Sequence, residues 1–179
     1  ANMLTLNGKK MAKSTGNNIL PREILTGGSP FLSKAFSPSV ARFFMMQAHY
    51  RSILDFSDDA IIAAEKGYNR LMEAMQNLKE IAPQSTSSLD IPSWKAACYE
   101  AMNDDFNSPI LIAQLFEGVR FVNVLKDNTA SLTAADLATF TETMHAFVFD
   151  VLGLEDNKIS NDNNTKLEGV IEMLIGMRN

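Results

Sequence analysis

The spacing of hydrophobic and polar residues changes near residue 57. Beyond it, apolar residues recur every three or four positions, the period of one face of an α-helix. Ser, Asp, Asn or Thr stands before most of these runs, at Ser57, Asp90, Asn107 and Thr133, and these residue types cap helix N-termini. The pattern predicts helices over residues 60–81, 92–102, 109–125, 134–152 and 167–177.

The first 56 residues follow a less regular pattern. Residues 3–6 predict a short strand that ends at the turn dipeptide Asn7-Gly8. Pro21 predicts a short helix over 22–25, and Ser37-Pro38 predicts the start of another helix. No alternation typical of a strand follows residue 6. We therefore predict a mainly α fold, with a small loop and junction module (1–56) followed by an up-and-down helical bundle (57–179) of four or five long helices.

The charges divide the chain in the same way. The net charge of the whole chain is −5, but residues 1–51 carry a net +6 and the remaining residues a net −11. A basic head on an acidic body indicates that a polyanion contacts the head. The acidic body is a poor candidate for nonspecific binding of nucleic acid.

Several classes of protein are disfavoured by composition. The single cysteine, Cys98, cannot form an internal disulfide and is expected to be a small buried hydrophobe. Only two histidines are present, without the ligand spacing of a zinc site, so we predict no metal in this chain. No window approaches the roughly 18 apolar residues of a membrane span, which predicts a soluble chain without a membrane partner. The sequence also looks cut from a longer protein at both ends.

A basic loop, residues 9–17, carries the candidate chemistry. Lys10 and Lys13 place two cations three residues apart, Ser14 adds a hydroxyl, and Gly16 lets the backbone bend. Mobile ammonium groups can follow a phosphate and stabilise charge as it develops, so one interpretation is a phosphate clamp. On composition alone, a solvated surface loop is the commoner alternative.

Longer segments resemble a known family. Residues 10–14, KMAKS, resemble the KMSKS signature of class I aminoacyl-tRNA synthetases, with Ala12 in place of the middle serine. The segments that resemble cysteinyl-tRNA synthetases, in the order of that family, are MLTLNGKKMAKSTGN (3–17), SVARFFMMQAHYRSILDFSDDAI (39–61) and AMNDDFNSPILIAQLFE (101–117). The resemblance implies the carboxyl-terminal part of such an enzyme, with a bundle of the class I anticodon-binding type.

The resemblance also implies an activity and site residues. Full-length enzymes of this family use ATP with Mg²⁺ to convert cysteine to cysteinyl-adenylate and transfer it to tRNA(Cys). Lys13 would contact the ATP phosphates and the departing pyrophosphate, with Lys10 and Ser14 as further catalytic residues, while Ala12 lacks a hydroxyl. Zinc and the nucleotide-binding fold are expected only in an amino-terminal part, so this chain alone is expected to be inactive. A cytoplasmic monomer is expected.

Alternatives remain at the level of function and of single residues. One alternative is the cysteine ligase of the mycothiol pathway, which resembles this synthetase family and uses an amino sugar as acceptor, and the other is a noncatalytic helical tRNA-binding module. Arg51 either pairs with Asp55 or reaches a tRNA phosphate. His49 is expected to be structural. Asp104-Asp105 is expected to end one helix before the next is capped, rather than to form an acid/base or metal pair.

Overall fold

The computed structural model describes residues 3–156, and the fold is mainly α, as the sequence predicts. Its elements are β1 (Met3–Leu6), β2 (Lys9–Lys10), a 3₁₀ turn (Lys13–Thr15), α1 (Pro21–Thr26), α2 (Pro38–Met46), β3 (Ile53–Phe56), α3 (Asp58–Leu78), α4 (Ile91–Asn103), α5 (Ser108–Lys126), α6 (Ala134–His145) and a π-helical turn (Ala146–Val151). The helix expected over 167–177 lies outside the described residues.

The helices begin at the predicted caps. The side-chain oxygens of Ser57, Asp90 and Thr133 each accept a hydrogen bond from a backbone N–H in the first turn that follows, at 3.0–3.3 Å. Asn107 precedes α5 without such a side-chain bond. Helix α3 ends at Leu78, earlier than the predicted residue 81. The predicted helix starts therefore agree with the structure better than this helix end.

The capping box expected at Thr133 forms only in part. The backbone N–H of Thr133 donates to Ser87 Oγ at 2.9 Å, while the carboxylate of Asp136 accepts from Thr133 Oγ1 at 3.0 Å. An Asp side chain is one methylene shorter than the usual Glu. Here Ser87, from the preceding loop, satisfies the N–H that the longer side chain would have reached.

The bundle core is aromatic and closely packed. The Phe140 ring meets the Trp94 ring edge to face, with centroids 5.0 Å apart, and the Phe121 ring at 6.1 Å. Gly118 lies at the point where α5 packs closely against its neighbours. A Cβ at this position would come within 2.8 Å of Met144 Sδ and 3.0 Å of Trp94 Cζ2. The absence of a side chain at this position lets α4 and α6 approach α5.

Helix α5 corrects one expectation from the sequence. By length and composition it is long and apolar enough to cross a membrane, although no such segment was predicted. The residues that α5 buries inside the bundle are Leu111, Ile112, Leu115, Gly118, Val119, Val122 and Leu125. Burial of this stripe is the pattern of a core helix of a bundle.

A three-stranded sheet also departs from the prediction that no strand follows residue 6. Strand β1 is central, with β2 antiparallel on one side and β3 parallel on the other. In β3, Leu54 and Phe56 are buried while Ile53 and Asp55 are exposed. Strand β3 has only four residues, and the exposed Ile53 is apolar, so the alternation of a strand cannot be recognised in the sequence. The strand with which β3 pairs also lies 50 residues away in the chain.

The module and the bundle share buried contacts. Phe43 on α2 meets the ring of Tyr68 on α3 edge to face, with centroids 6.3 Å apart. Ser108 Oγ, at the start of α5, donates to the carbonyl of Met46 at 2.8 Å, and Arg42 Nη1 donates to the carbonyl of Gly153 at 2.8 Å. These contacts join the end of α2 to the bundle. The division at residues 56 and 57 stays a prediction.

Candidate functional site

The basic loop leaves the sheet through a tight turn. Asn7 and Gly8 both have left-handed backbone conformations, with φ of 52° and 74°. Positive φ at both central residues is the geometry of a type I′ hairpin, which Asn-Gly favours. The turn therefore sends the exposed residues Lys9 and Lys10 back along β1 as β2.

Hydrogen bonds close the loop on itself. The backbone N–H of Ala12 donates to the carbonyl of Asn17 at 2.9 Å, and that of Gly16 donates to Lys13 O at 3.1 Å. Asn17 Nδ2 donates to the carbonyls of Lys9 and Lys10, at 3.2 and 3.1 Å. One carboxamide thus connects the end of the loop to its beginning. We did not predict this role for Asn17, although Asn is a residue type that often bonds nearby backbone.

The three predicted site residues lie on this closed loop, and one of them lines a cleft beside it. Lys10, Lys13 and Ser14 are all exposed. Only Lys10 lines an open cleft of about 420 Å³, whose other lining residues are Lys9, Thr15, Gly16, Asn17 and Phe31. Within residues 3–156, the ammonium groups of Lys10 and Lys13 make no salt bridge. Both cations can therefore meet a phosphate without first breaking an ion pair.

Ala12 stands immediately before the 3₁₀ turn. Its backbone is extended (φ −151°, ψ 134°), and it makes no side-chain capping bond. A serine hydroxyl in the same place could accept from an N–H of the turn. The substitution noted in the sequence therefore falls at a capping position.

Asp55 anchors the turn before the loop, a role that we did not predict from the sequence. Its Oδ1 accepts from Thr5 Oγ1 at 2.6 Å and from the Gly8 N–H at 2.8 Å. The hydroxyl of Thr5, followed by the amide of Gly8, lowers the pKa of the Asp55 carboxyl from its ordinary value of 3.8. The alternative in which Arg51 pairs with Asp55 is wrong, because Arg51 pairs with Asp105. The place of Asp55 opposite Thr5 could be recognised only once β3 was known to lie parallel to β1.

Arg51 instead pairs with the bundle. Its Nη2 lies 2.9 Å from Asp105 Oδ2, and the hydroxyl of Tyr50 donates to the same carboxylate at 2.8 Å. His49 stacks on Tyr50 at 4.7 Å between ring centroids, and its Nδ1 accepts from the Arg51 N–H at 3.2 Å. His49 has the structural place that we expected. The Arg51 side chain remains 71% exposed, so its outer face is open to solvent.

Asp104 and Asp105 end α4, as the sequence predicts. Helix α4 ends at Asn103, and the backbone of Asp105 and Phe106 is left-handed, with φ of 55° and 54°. No group of three or more His, Cys, Asp or Glu side chains within residues 3–156 could hold a metal ion. The expectation of no metal in the whole chain stays a prediction.

Cys98 is not part of a site. It is completely buried in α4, and burial raises the pKa of its thiol to about 12. A thiol with so high a pKa is not a nucleophile near neutral pH. The expectation of a small buried hydrophobe is confirmed.

Comparison with known proteins connects both parts of the chain to one family. Residues 1–66 match the family model described as the tRNA synthetases class I (C) catalytic domain, and residues 97–155 match the DALR domain. The chain is 47% identical over 180 residues to a cysteine–tRNA ligase of Bacteroides thetaiotaomicron and 45% identical over 178 residues to one of Parabacteroides distasonis. A cysteine–tRNA ligase of Cytophaga hutchinsonii is 40% identical over 186 residues. These matches cover 98–99% of the chain but 36% of each relative, so the chain spans about a third of their length.

Proposed function

Because the chain belongs to the cysteinyl-tRNA synthetase family, we propose that it serves the ATP-dependent ligation of cysteine to tRNA(Cys), with the basic loop acting on ATP and the bundle on tRNA. The observation that carries this proposal is the closed loop that presents Lys10 and Lys13 without salt-bridge partners in the described part of the chain. In the complete enzyme, which would be cytoplasmic, this loop would face ATP and its Mg²⁺.

The chemistry of the first step suits two mobile cations. When the cysteine carboxylate attacks the α-phosphorus, a new carboxylate–phosphorus bond forms, the α–β bridging bond breaks, and negative charge accumulates on the leaving pyrophosphate. Lys13 is proposed to contact the ATP phosphates and this leaving group, with Lys10 as a second cation and Ser14 as a hydroxyl donor. Interactions that strengthen as charge develops lower the barrier more than they tighten substrate binding.

For tRNA, we propose that Arg51 contacts a backbone phosphate. Asp105 and Tyr50 hold this guanidinium in place while leaving most of it exposed. Because the Arg51 side chain is already held in one position, it loses less conformational entropy when it binds a phosphate. The chain is proposed to act within a monomeric enzyme, with no membrane partner.

A chimeric enzyme tests the function directly. The segment of the Bacteroides thetaiotaomicron ligase that matches this chain is replaced by residues 1–179. We expect cysteine-dependent ATP–pyrophosphate exchange and charging of tRNA(Cys), whereas the isolated chain gives no exchange. Charging of an amino sugar in place of tRNA would favour the mycothiol-type alternative. A chimera that binds tRNA but never exchanges pyrophosphate would favour the noncatalytic module.

The clamp role has its own variant. In the chimera, Lys13→Ala should lower kcat for exchange by about a hundredfold while the KM for cysteine changes little, because one donor to the developing charge is lost. Lys34→Ala is the matched control, since Lys34 belongs to the same module but pairs with Glu65 at 2.6 Å. An effect of Lys13→Ala confined to the KM for cysteine would contradict the clamp.

A further inference from the structure

The basic loop has few ways to change its own shape. The two hydrogen bonds from the Asn17 carboxamide and the backbone bond between Ala12 and Asn17 close residues 9–17 into one unit. Because β2, at the start of this unit, pairs with β1, the unit takes its direction from the sheet and from the turn at Asn7 and Gly8 that leads into β2.

The turn is held from one side by β3. Asp55 accepts both the Gly8 N–H and the Thr5 hydroxyl, and the Asn7 N–H donates to the carbonyl of Phe56 at 2.9 Å. Thr5 and Asp55 are also register partners in the parallel pair of β1 and β3. One exposed carboxylate and one backbone carbonyl therefore hold the turn that leads into β2 and its lysines.

Strand β3 is itself fixed to the rest of the molecule. Leu54 and Phe56, on either side of Asp55, are buried in the core. Two residues before β3, Arg51 pairs with Asp105 at the end of α4. The position of Asp55 is thus set by the bundle, and the position of the loop is set by Asp55.

Resting on the proposed role of the loop in adenylation, we propose that Asp55 is a positioning residue for that reaction, which aims Lys10 and Lys13 by holding the Asn7-Gly8 turn against β3. It touches neither ATP nor cysteine. The negative charge of Asp55 strengthens the two bonds, since hydrogen bonds to an ionised acceptor are stronger than neutral ones.

Three variants in the chimera test this role. Asp55→Ala removes both bonds, and we expect kcat for pyrophosphate exchange to fall about tenfold, because a small displacement of catalytic groups is costly. The KM for cysteine should stay within about twofold, because the role proposed for the loop is with the phosphates of ATP rather than with cysteine. Asp55→Asn keeps an oxygen that can accept both bonds and should keep kcat within about threefold of the parent chimera. Thr5→Val removes one of the two donors to Asp55, and its kcat should lie between those of Asp55→Ala and Asp55→Asn.

Two readouts separate positioning from loss of structure. Asp55→Ala should keep the circular dichroism spectrum of the parent, with a melting temperature lower by only a few degrees, and exchange of the Gly8 amide, followed by NMR in this chain alone, should accelerate. If the fall in kcat is no larger than the fall in the fraction of folded protein, the proposal is overturned. An Asp55→Asn variant as impaired as Asp55→Ala would also overturn it.

Lys13→Ala distinguishes failure of this inference from failure of the proposed function. If Lys13→Ala is impaired and Asp55→Ala has the kcat of the parent, positioning by Asp55 is wrong and the clamp stands. If both variants retain the parental kcat, the loop does not act in adenylation and the positioning role is rejected with it.

Discussion

The basic loop and the bundle core are held together in opposite ways. The loop owes its shape to hydrogen bonds that are mostly exposed, above all those of Asp55 and Asn17. The core owes its shape to buried apolar contacts, with Phe140 against Trp94 and Phe121 at its centre. Exposed hydrogen bonds compete with water and contribute little net free energy, whereas buried aromatic contacts contribute much. The loop can therefore keep a defined shape and still shift as one unit, while the bundle serves as a fixed support.

The largest expected effect comes from breaking the core. Phe140→Ala should lower the free energy of unfolding of this chain by about 3–5 kcal/mol, because Phe140 is completely buried and its removal leaves a cavity. The measurement is urea unfolding followed by circular dichroism. Phe106→Ala is the control, since Phe106 is 71% exposed, and we expect a change within about 0.5 kcal/mol. Equal losses in the two variants would contradict the proposed contrast.

A smaller, pH-dependent effect is expected at Asp55. Its pKa is lower in the folded than in the unfolded chain, so it contributes stability above its ordinary pKa of 3.8 and loses that contribution as pH falls through the lower folded value. The difference in free energy of unfolding between wild type and Asp55→Asn should thus be present at neutral pH and shrink below about pH 4.

The control for this pH dependence is Thr5→Val. It removes the larger cause of the lowered pKa, so this variant should lose part of the same stability in the same pH range. The measurement is chemical unfolding at a series of pH values. A difference between wild type and Asp55→Asn that grows as the solution is acidified would have the wrong sign for this mechanism.

The smallest effect is expected from Ala12→Ser. A hydroxyl at this capping position should stabilise the 3₁₀ turn by about 0.5–1 kcal/mol, which would slow hydrogen exchange of the turn amides with little change in global unfolding. Ala12→Gly adds no acceptor and should not slow exchange. A change in global stability without any change in the exchange of the turn amides would show that the added hydroxyl acts elsewhere.

The same contrast explains what the sequence could predict. The caps at Ser57, Asp90 and Thr133 act within three residues, so the helix starts could be found from local pattern. The candidate lysines were found because they lie in a contiguous motif. The residues that hold them were missed for a different reason. Asp55 acts on Gly8 across 47 positions, and no local pattern indicates such a partner.

The junction shows the same limit. Asp105 could be assigned to helix termination, which is local, but its ion pair with Arg51 depends on how α4 approaches the end of α2. The wrong alternative, Asp55, was simply the nearer acid in sequence. Proximity along the chain is a poor guide to ion pairs outside helices, where three- and four-residue spacing does not apply.

The parallel pairing of β1 with β3 affects the order in which the molecule folds. Helices form bonds between residues four apart, whereas Thr5 meets Asp55 across 50 positions, and closing so long a loop costs entropy before any contact compensates it. Contacts of this separation slow folding. During synthesis, β1 leaves the ribosome first but has no parallel neighbour until β3 has been made. The segment that carries the lysines is thus translated before the strand that supports it, and it can reach its native geometry only after β3 has been made.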